Sequence, residues 1–329
     1  MTIDLKSVLA SARVVSLPLR TRFRGVDHRE ALIFEGSEGW AEWSPFLEYE
    51  SAEAAVWLEA ALDWAYLPQP KPVRTLIGVN ATLPAVEPNR VEETLRSFGK
   101  FNTVKIKVAE RGESLSQDLA RIAAVHRLYP NAKLRLDANG GYSPEQALGI
   151  IGALRDNRIE TEYLEQPCAS VDELVQLRKT LKQLRLPNLV AADESLRKAA
   201  DPLEVANAGG ADLLVLKAAP LGGVSAALGI ASEAGLPAVV SSALETSIGL
   251  AMGLHLAACL PESVYDNGLG TAALLAADVI EEPVTAIDGS LQLRRPEPSE
   301  RLLAAHAASA ERTEWWHARL RSCWELLQG

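Results

Sequence analysis

The middle of the chain repeats a short apolar or β-branched run followed by a longer, helical stretch of Ala, Leu, Glu and Arg. The runs start between about 22 and 30 residues apart, a spacing typical of alternating strand and helix units. Strands that are apolar on both faces are typical of a parallel sheet covered by helices. The pattern predicts eight units, with strands at TLIGVN (75–80), TVKIKV (103–108), KLRLDA (133–138), TEYLEQ (161–166), NLVAAD (188–193), LLVLKA (213–218), PAVVSS (237–242) and YDNGLG (265–270).

Two arrangements of these units are open, a closed barrel and a doubly wound sheet. Doubly wound sheets that bind dinucleotides carry a glycine-rich fingerprint directly after the first strand. No such fingerprint follows residues 75–80. The sequence therefore favours an α/β fold of the modified TIM-type (β/α) barrel, which we expect to span residues 75–285.

The two ends of the chain differ from the middle because they hold all seven tryptophans. The N-terminal part alternates apolar and polar residues in ALIFEG and GWAEWSP, which predicts two strands around a Gly-Ser turn. It then becomes helical in SAEAAVWLEAALDWAYL. We expect residues 1–74 and 286–329 to form one small α+β domain beside the barrel.

Composition and charge exclude several classes of protein. Hydrophobic residues make up 48% and charged residues 23% of the chain, as in an average soluble protein. No stretch approaches the roughly 18 apolar residues of a membrane span, and the start has no secretory signal pattern. We therefore expect a cytoplasmic protein with no membrane partner. The three cysteines, at 168, 259 and 323, fit neither a disulfide framework nor a zinc ligand set.

The formal net charge of −10 argues against a nucleic-acid partner, because phosphate neutralisation needs a basic surface. It leaves room for a small carboxylate substrate, since the field in a site depends mainly on nearby groups. The oligomeric state stays open, and a monomer is compatible with the sequence.

Charged and hydroxyl side chains interrupt the predicted strands near their carboxyl ends. Barrel active sites form at that end. An ionised group is costly to bury unless it is paired or binds a metal. The pattern therefore predicts a catalytic site built from Lys105, Lys107, Asp137, Glu165, Asp193, Lys217, Ser241 and Ser242.

Asp137, Glu165 and Asp193 follow one another at identical spacings of 28 residues. Each acid alone also fits an ordinary role, as a turn former, a loop residue or a helix cap. Those roles do not predict equal spacing across three strand ends. Grouped carboxylates repel each other unless a cation is present, and oxygen ligands suit Mg²⁺ or Mn²⁺ better than zinc. We predict a Mg²⁺ site here, with Mn²⁺ as a substitute.

Lys105 and Lys107 lie two residues apart in one strand, so they point to the same face. Lys217 comes from a strand beyond the acids. A lysine beside a cation inside a barrel can act as a base at neutral pH. The alternatives are a solvated edge-strand face for the first two lysines and a structural ion pair for Lys217.

Arg135, Ser241 and Ser242 are candidates for substrate contact. Arg135 shares the face of Asp137, so it can reach a substrate or form an ion pair inside the barrel. Ser241 and Ser242 end an apolar strand, where they can donate hydrogen bonds to an anion or cap a helix.

The segments VKIKV, RLDAN, YLEQP, AADES, VLKAAP and SSALETSIG occur in this order, and they resemble the enolase superfamily. Two catalytic lysines are typical of its muconate-lactonizing branch. The resemblance implies that the domain built from both termini caps the barrel. It also implies a lysine base acting with Mg²⁺ on carbon next to a carboxylate, a pairing known for this superfamily.

The shortness of the chain and the segments RFRGVDHRE, GWAEWSPFLEY and DNGLGTAALLAADV resemble dehydrating enzymes of that branch. This implies syn dehydration of 2-succinyl-6-hydroxy-2,4-cyclohexadiene-1-carboxylate to o-succinylbenzoate, a step of menaquinone biosynthesis. Lys107 would act as base and then as acid, and Lys217 would be a fixed cation on the opposite face. Lys105 would favour neutral Lys107 by like-charge repulsion.

The same resemblance implies a set of residues that face the substrate and a mobile capping loop. The loop contains Arg24 and Gly25. The substrate-facing set comprises Lys105, Arg135, Ser241, Ser242 and the backbone at Gly268.

The main alternative is an N-acyl amino acid racemase or dipeptide epimerase on the same scaffold, in which both lysines exchange the α-proton. Dipeptide epimerases typically carry Asp-x-Asp near the last strand, and this chain has Asp266 followed by Asn267 and Gly268. A barrel with no catalytic role would have no reason to keep three acids and two opposed lysines.

Overall fold

The computed structural model describes residues 3–23 and 25–328 of the chain. Arg24, predicted to lie in the capping loop, falls outside the described residues. The N-terminal segment begins with a short helix, continues as a three-stranded antiparallel sheet of order β1-β2-β3, and ends in a longer helix. These elements are α1 (Leu5–Ser11), β1 (Arg13–Phe23), β2 (Val26–Gly36), β3 (Gly39–Trp43) and α2 (Ser51–Tyr66).

The two ends of the chain pack on each other. The last helix, α12 (Ala310–Gln328), lies against α2, and Trp43 contacts Trp316 edge to face at 5.3 Å between ring centroids. Arg319 of α12 donates to the backbone oxygens of Phe46 and Tyr49. Trp43 and Trp316, from the two ends of the chain, therefore pack against each other.

The barrel sheet contains seven parallel strands in the order β11-β10-β9-β8-β7-β6-β5 within the described part of the chain. Their side chains are almost all buried, as expected for strands that are covered by helices on one side and fill the barrel on the other. The strands are β5 (Ala81–Leu83), β6 (Thr103–Lys107), β7 (Lys133–Asp137), β8 (Tyr163–Glu165), β9 (Val190–Ala192), β10 (Leu213–Leu216) and β11 (Ala238–Val240).

The first predicted strand, residues 75–80, is placed differently in the structure. Leu76–Gly78 forms β4, which pairs antiparallel with β12 (Ser290–Gln292), whereas Ala81–Leu83 pairs with β6. Leu76 is exposed and Ile77 is buried, an alternation that suits a two-stranded ribbon with one wet face. All three residues of β5 are buried, as a barrel strand requires.

The eighth predicted strand, residues 265–270, is reduced to single bridges that join the two edges of the sheet. Val79 bridges to Asn267 and Ser241 bridges to Gly268, both in parallel. A Cβ atom at residue 268 would lie 2.6 Å from Ser241 Oγ. Glycine therefore permits the close approach that completes the barrel.

Helices follow most of the barrel strands and cover the outside. α4, α5 and α6 each begin with a capping box, in which a serine accepts from the backbone three residues later and a Gln or Glu returns the bond. The bounds are α3 (Val91–Arg96), α4 (Leu115–Leu128), α5 (Pro144–Asp156), α6 (Val171–Gln183), α7 (Glu194–Arg197), α8 (Glu204–Asn207), α9 (Val224–Ala234), α10 (Ser247–Cys259) and α11 (Glu300–Ala305). Among the helices that the structure describes, none has the length and apolar character needed to cross a membrane.

Candidate active site

The structure gathers the charged residues of the strand ends into one buried cluster. Side-chain exposure is 1% for Asp137 and Glu165, 7% for Lys105 and 10% for Lys107. Such burial is tolerated because every member has a partner of opposite charge. The neighbouring strands β6, β7 and β8 present these groups in register, with Lys107 beside Asp137 and Asp137 beside Glu165.

Lys105 bridges two of the acids. Its Nζ lies 2.9 Å from Glu165 Oε1 and 3.4 Å from Asp137 Oδ2, and it also donates to Ser241 Oγ at 3.3 Å. Burial lowers the pKa of Lys105, but the carboxylates of Glu165 and Asp137 outweigh this effect and hold it above its usual value. Lys105 is therefore a cation in this arrangement.

Lys107 is held by two oxygen acceptors at the mouth of the barrel. Its Nζ donates to Asp137 Oδ2 at 2.6 Å and to Asn139 Oδ1 at 2.6 Å. Asn139 also donates to Glu194 Oε1 at 3.2 Å. Asn139 thus fixes the position of Lys107, a role that the sequence analysis did not assign to it.

Lys217 approaches from the other side of the cluster. Its Nζ lies 2.5 Å from Asp193 Oδ2, and Arg197 Nε donates to Asp193 Oδ1 at 2.9 Å. Burial lowers the pKa of Lys217, and Asp193 opposes that change. Burial also raises the pKa of Asp193, but Lys217 and Arg197 overcome it, so the carboxyl stays ionised.

The three acids affect one another's pKa values. Burial raises the pKa of Glu165 to about 7, and the charges of Asp137 and Asp193 add to the rise. Burial raises the pKa of Asp137 as well, but the positive charges of Lys107 and Lys105 outweigh this effect and lower it below the usual range. The lysine ammonium groups therefore reduce the repulsion among the three carboxylates. A bound metal cation would have the same effect.

The donor set fits Mg²⁺, because it consists of buried carboxylate oxygens on three adjacent strand ends. Among the described residues, however, no three His, Cys, Asp or Glu side chains are arranged so that they could bind one metal ion together. Lysine ammonium groups lie at hydrogen-bonding distance from each of the three acids instead. A bound divalent ion would have to replace those contacts.

A small cavity of about 30 Å³ opens onto this cluster. Lys107 and Lys217 both line it, from strands that are separated by β7, β8 and β9 in the sheet. The other lining residues are Phe46, Thr82, Lys105, Asp137, Asn139, Ser241, Ser242, Ala243, Leu244, Gly268 and Thr271. Phe46 belongs to the N-terminal segment, so that segment contributes to the wall of the site.

The predicted substrate-facing residues divide into two groups. Ser241, Ser242, Gly268 and Lys105 line the cavity. Arg135 is fully buried and is not among the lining residues.

Arg135 forms an ion pair inside the barrel, the alternative that the sequence left open. It pairs with Glu162 at 2.6 Å and donates to Asn80 Oδ1 at 3.0 Å. It also lies over the ring of Tyr163.

Gln166 is a structural element of the site that the sequence analysis overlooked. Its Oε1 accepts the backbone N–H groups of Asp193 at 3.0 Å and Ser195 at 3.1 Å. Its Nε2 donates to Ser195 Oγ and to the carbonyl of Cys168. Gln166 has a φ of 38°, a left-handed conformation that costs free energy in a non-glycine residue. The only sequence signal is its place directly after Glu165.

Comparison with known proteins agrees with this architecture. A family model described as enolase C-terminal domain-like matches residues 89–298, and one described as enolase N-terminal domain-like matches residues 14–65. The muconate lactonizing enzyme from Pseudomonas putida has a similar structure, with a TM-score of 0.73 over 90% of this chain and 98% of that chain. At 22% identity, this likeness shows the fold alone.

Two curated relatives are much more similar in sequence. The o-succinylbenzoate synthase of Mycobacterium ulcerans (strain Agy99) is 47% identical over 324 residues, which cover 98% of this chain and 96% of the relative. The o-succinylbenzoate synthase of Mycolicibacterium smegmatis (strain ATCC 700084 / mc(2)155) is 47% identical over 323 residues, 98% of each chain.

A parallel barrel, an N-terminal capping domain and a buried set of acids and lysines at the strand ends together define the enolase type of enzyme. The chain belongs to the enolase superfamily and, within it, to the o-succinylbenzoate synthase family of hydro-lyases.

Proposed function

We propose that this chain catalyses the syn dehydration of 2-succinyl-6-hydroxy-2,4-cyclohexadiene-1-carboxylate to o-succinylbenzoate. The observation that carries the proposal is that Lys107 and Lys217 line one cavity from opposite parts of the barrel, beside three buried acids. The names of the relatives support the same reaction. The product would serve menaquinone biosynthesis.

Asp137, Glu165 and Asp193 would hold the metal, and superfamily enzymes are known to use Mg²⁺ with a lysine base. When bound, the Mg²⁺ would supply Lewis-acid stabilisation for negative charge on the substrate carboxylate. Asp137 now holds the ammonium of Lys107 at 2.6 Å. A cation held by Asp137 would compete with that ion pair.

Lys107 would act first as base and then as acid. Its neutral Nζ takes the proton from the ring carbon next to the carboxylate, and the electrons of that C–H bond move into the carboxylate. The ammonium then gives the proton to the neighbouring hydroxyl as the C–O bond breaks. The electrons return to form the new ring double bond, so the products are one aromatic ring and one water. One lysine on one face explains syn elimination.

Lys217 would stay protonated and stabilise the negative charge that develops on the opposite face. Asp193, at 2.5 Å, supports its cationic form. Lys105 would offset the negative charges of Glu165 and Asp137.

The remaining cavity residues would shape the substrate site. Ser242 Oγ shares a hydrogen bond with Thr271 Oγ1 at 2.5 Å and faces the cavity with Ser241. The N–H of Gly268 already donates to Val240. Gly268 would therefore contribute by leaving space, because a side chain at this position would collide with Ser241. Arg135 would support the barrel interior rather than bind the substrate.

The terminal segments would close the site from above. Phe46 already lines the cavity, and Gly25 borders a second cavity that shares Lys107 and Asn139 with the first. We propose the division into a cap of residues 1–74 plus 286–329 and a barrel of residues 75–285.

One experiment separates this reaction from racemisation. The purified protein with Mg²⁺ is incubated with the cyclohexadiene carboxylate, and the loss of its ultraviolet absorbance is followed. An N-succinyl amino acid in D₂O is tested in parallel for α-deuterium uptake. We expect rapid dehydration; rapid deuterium exchange without dehydration would instead identify a racemase.

A further inference from the structure

A buried network of charges lies directly behind Lys107, on the side away from the cavity. Its centre is Arg121 of α4, which is 2% exposed. Arg121 Nη1 donates to the backbone oxygen of Lys107 at 3.0 Å, and Nε donates to the backbone oxygen of Val86 at 2.8 Å. One guanidinium therefore ties the end of β6 to the segment that follows β5.

Two acids hold this guanidinium in place. Arg121 Nη1 donates to Asp118 Oδ1 at 3.1 Å, and Nη2 donates to Glu113 Oε2 at 2.6 Å. Asp118 is 1% exposed, so the Arg121–Asp118 pair is shielded from water. Removal of one partner would leave a buried charge without compensation.

Asp118 also fixes the backbone just beyond Lys107. Its Oδ2 accepts the N–H of Ala109 at 3.0 Å and the hydroxyl of Tyr142 at 2.6 Å. Ala109 has a φ of 58°, a left-handed conformation that a non-glycine residue keeps only when its surroundings hold it. The backbone on the carboxyl side of Lys107 is thus fixed at the carbonyl of residue 107 and at the N–H of residue 109.

We propose that Arg121, Asp118 and Tyr142 are positioning residues for Lys107 in catalysis. None of the three is among the residues that line the cavity, so they would act only through the backbone of residues 107–109. The inference rests on the proposed role of Lys107 as the base. A base displaced by about 1 Å can lose roughly a hundredfold in rate, so a rigid strand end has catalytic value.

A second, partly buried Arg–Asp pair offers a control. Arg178 of α6 donates through Nε to Asp212 Oδ2 at 3.1 Å, and Asp212 also accepts the N–H of Val190. This pair supports Val190, the first residue of β9. Val190 lies at the amino end of its strand, whereas the cluster of acids and lysines lies at the carboxyl ends. Its loss should destabilise the fold without moving Lys107.

The test compares Arg121→Met, Arg121→Lys and Arg178→Met in the full-length, Mg²⁺-loaded enzyme, with thermal midpoints measured for each. We expect Arg121→Met to lower kcat for dehydration about a hundredfold with KM within about threefold, because positioning affects the transition state more than binding. Arg121→Lys should recover about tenfold, since one ammonium can still reach a backbone oxygen. Arg178→Met should keep kcat within about threefold despite a lower midpoint.

Two results would overturn the inference. One is a folded Arg121→Met enzyme with kcat within about threefold of the wild type. The other is a loss of kcat in Arg178→Met equal to that in Arg121→Met. If Arg121→Met does not fold, Tyr142→Phe decides: kcat lowered about fivefold at an unchanged KM supports the inference, and unchanged kcat contradicts it.

Lys107→Ala, assayed in parallel, keeps the two hypotheses apart. Full activity in Lys107→Ala would refute the proposed base, whatever the Arg121 variants do. An inactive Lys107→Ala beside a fully active Arg121→Met would refute the positioning role alone.

Discussion

The side-chain oxygen of Gln166 accepts the backbone N–H of Asp193 at 3.0 Å, so the residue after one acid holds the backbone of the next. Gln166 follows Glu165 directly in the chain. Its side chain therefore connects the backbone next to Glu165 with the backbone of Asp193. This link sets the relative position of the strand ends β8 and β9, where the proposed metal ligands lie.

Gln166→Leu should weaken Mg²⁺ binding. The substitution removes the acceptor for the N–H groups of Asp193 and Ser195, and losing support behind a metal ligand typically costs about 10- to 100-fold in metal affinity. Gln183→Leu, the same substitution at an exposed position of α6, is the control. Isothermal titration with Mg²⁺ measures both; equal affinity in Gln166→Leu and the wild type would contradict this prediction.

Removal of the metal should abolish dehydration reversibly. After EDTA treatment and dialysis, we expect Mg²⁺ or Mn²⁺ to restore activity and Zn²⁺ to restore much less, since the donors are carboxylate oxygens. Asp193→Asn should stay inactive at Mg²⁺ concentrations that saturate the wild type. Full activity in the presence of excess EDTA would show that the acids serve another purpose.

Lys217→Ala should lower kcat by about a hundredfold, because it removes a preorganised positive charge next to the intermediate. The alternative, in which Lys217 exchanges a proton, predicts deuterium incorporation into recovered substrate in D₂O that disappears in this variant. Our account expects no such Lys217-dependent incorporation during dehydration. Nuclear magnetic resonance of recovered substrate distinguishes the two roles.

Glu42→Ala should reduce the free energy of unfolding by about 3 kcal/mol, because Glu42 is buried and hydrogen-bonds several donors at once. Glu42 lies on β3 and accepts from Thr246 N–H at 3.0 Å, Thr246 Oγ1 at 2.5 Å and Gly249 N–H at 3.1 Å, at the start of α10. Glu59→Ala, at an exposed position of α2, is the control. Urea denaturation measures both, and equal stability of the two variants would contradict the prediction.

The sequence predicts the charged part of the site well because ionised residues are costly on buried strands. Lys107, Asp137, Glu165 and Lys217 stand out against apolar neighbours, and the structure buries all of them together. Equal spacing then implies adjacent strand ends. The sequence therefore identifies these buried charged groups before any coordinates are known.

The supporting residues are not visible in this way. Asp118 and Arg121 lie in a helix whose charges look like an ordinary solvated face, and only tertiary packing buries them. The prediction of the first barrel strand was wrong because its position also depends on tertiary packing. Residues 75–80 have the stronger strand pattern, but their alternation suits the ribbon with β12, and the short Ala81–Leu83 forms the barrel strand.

The most direct test of the central claim is the single-turnover rate of dehydration by Lys107→Ala, followed by the loss of substrate absorbance with saturating Mg²⁺. Loss of a base that also serves as the acid should lower this rate by about 10³-fold or more. Substrate and Mg²⁺ should still bind. A rate within about tenfold of the wild type would show that another group removes the proton, and the assignment of Lys107 would be wrong.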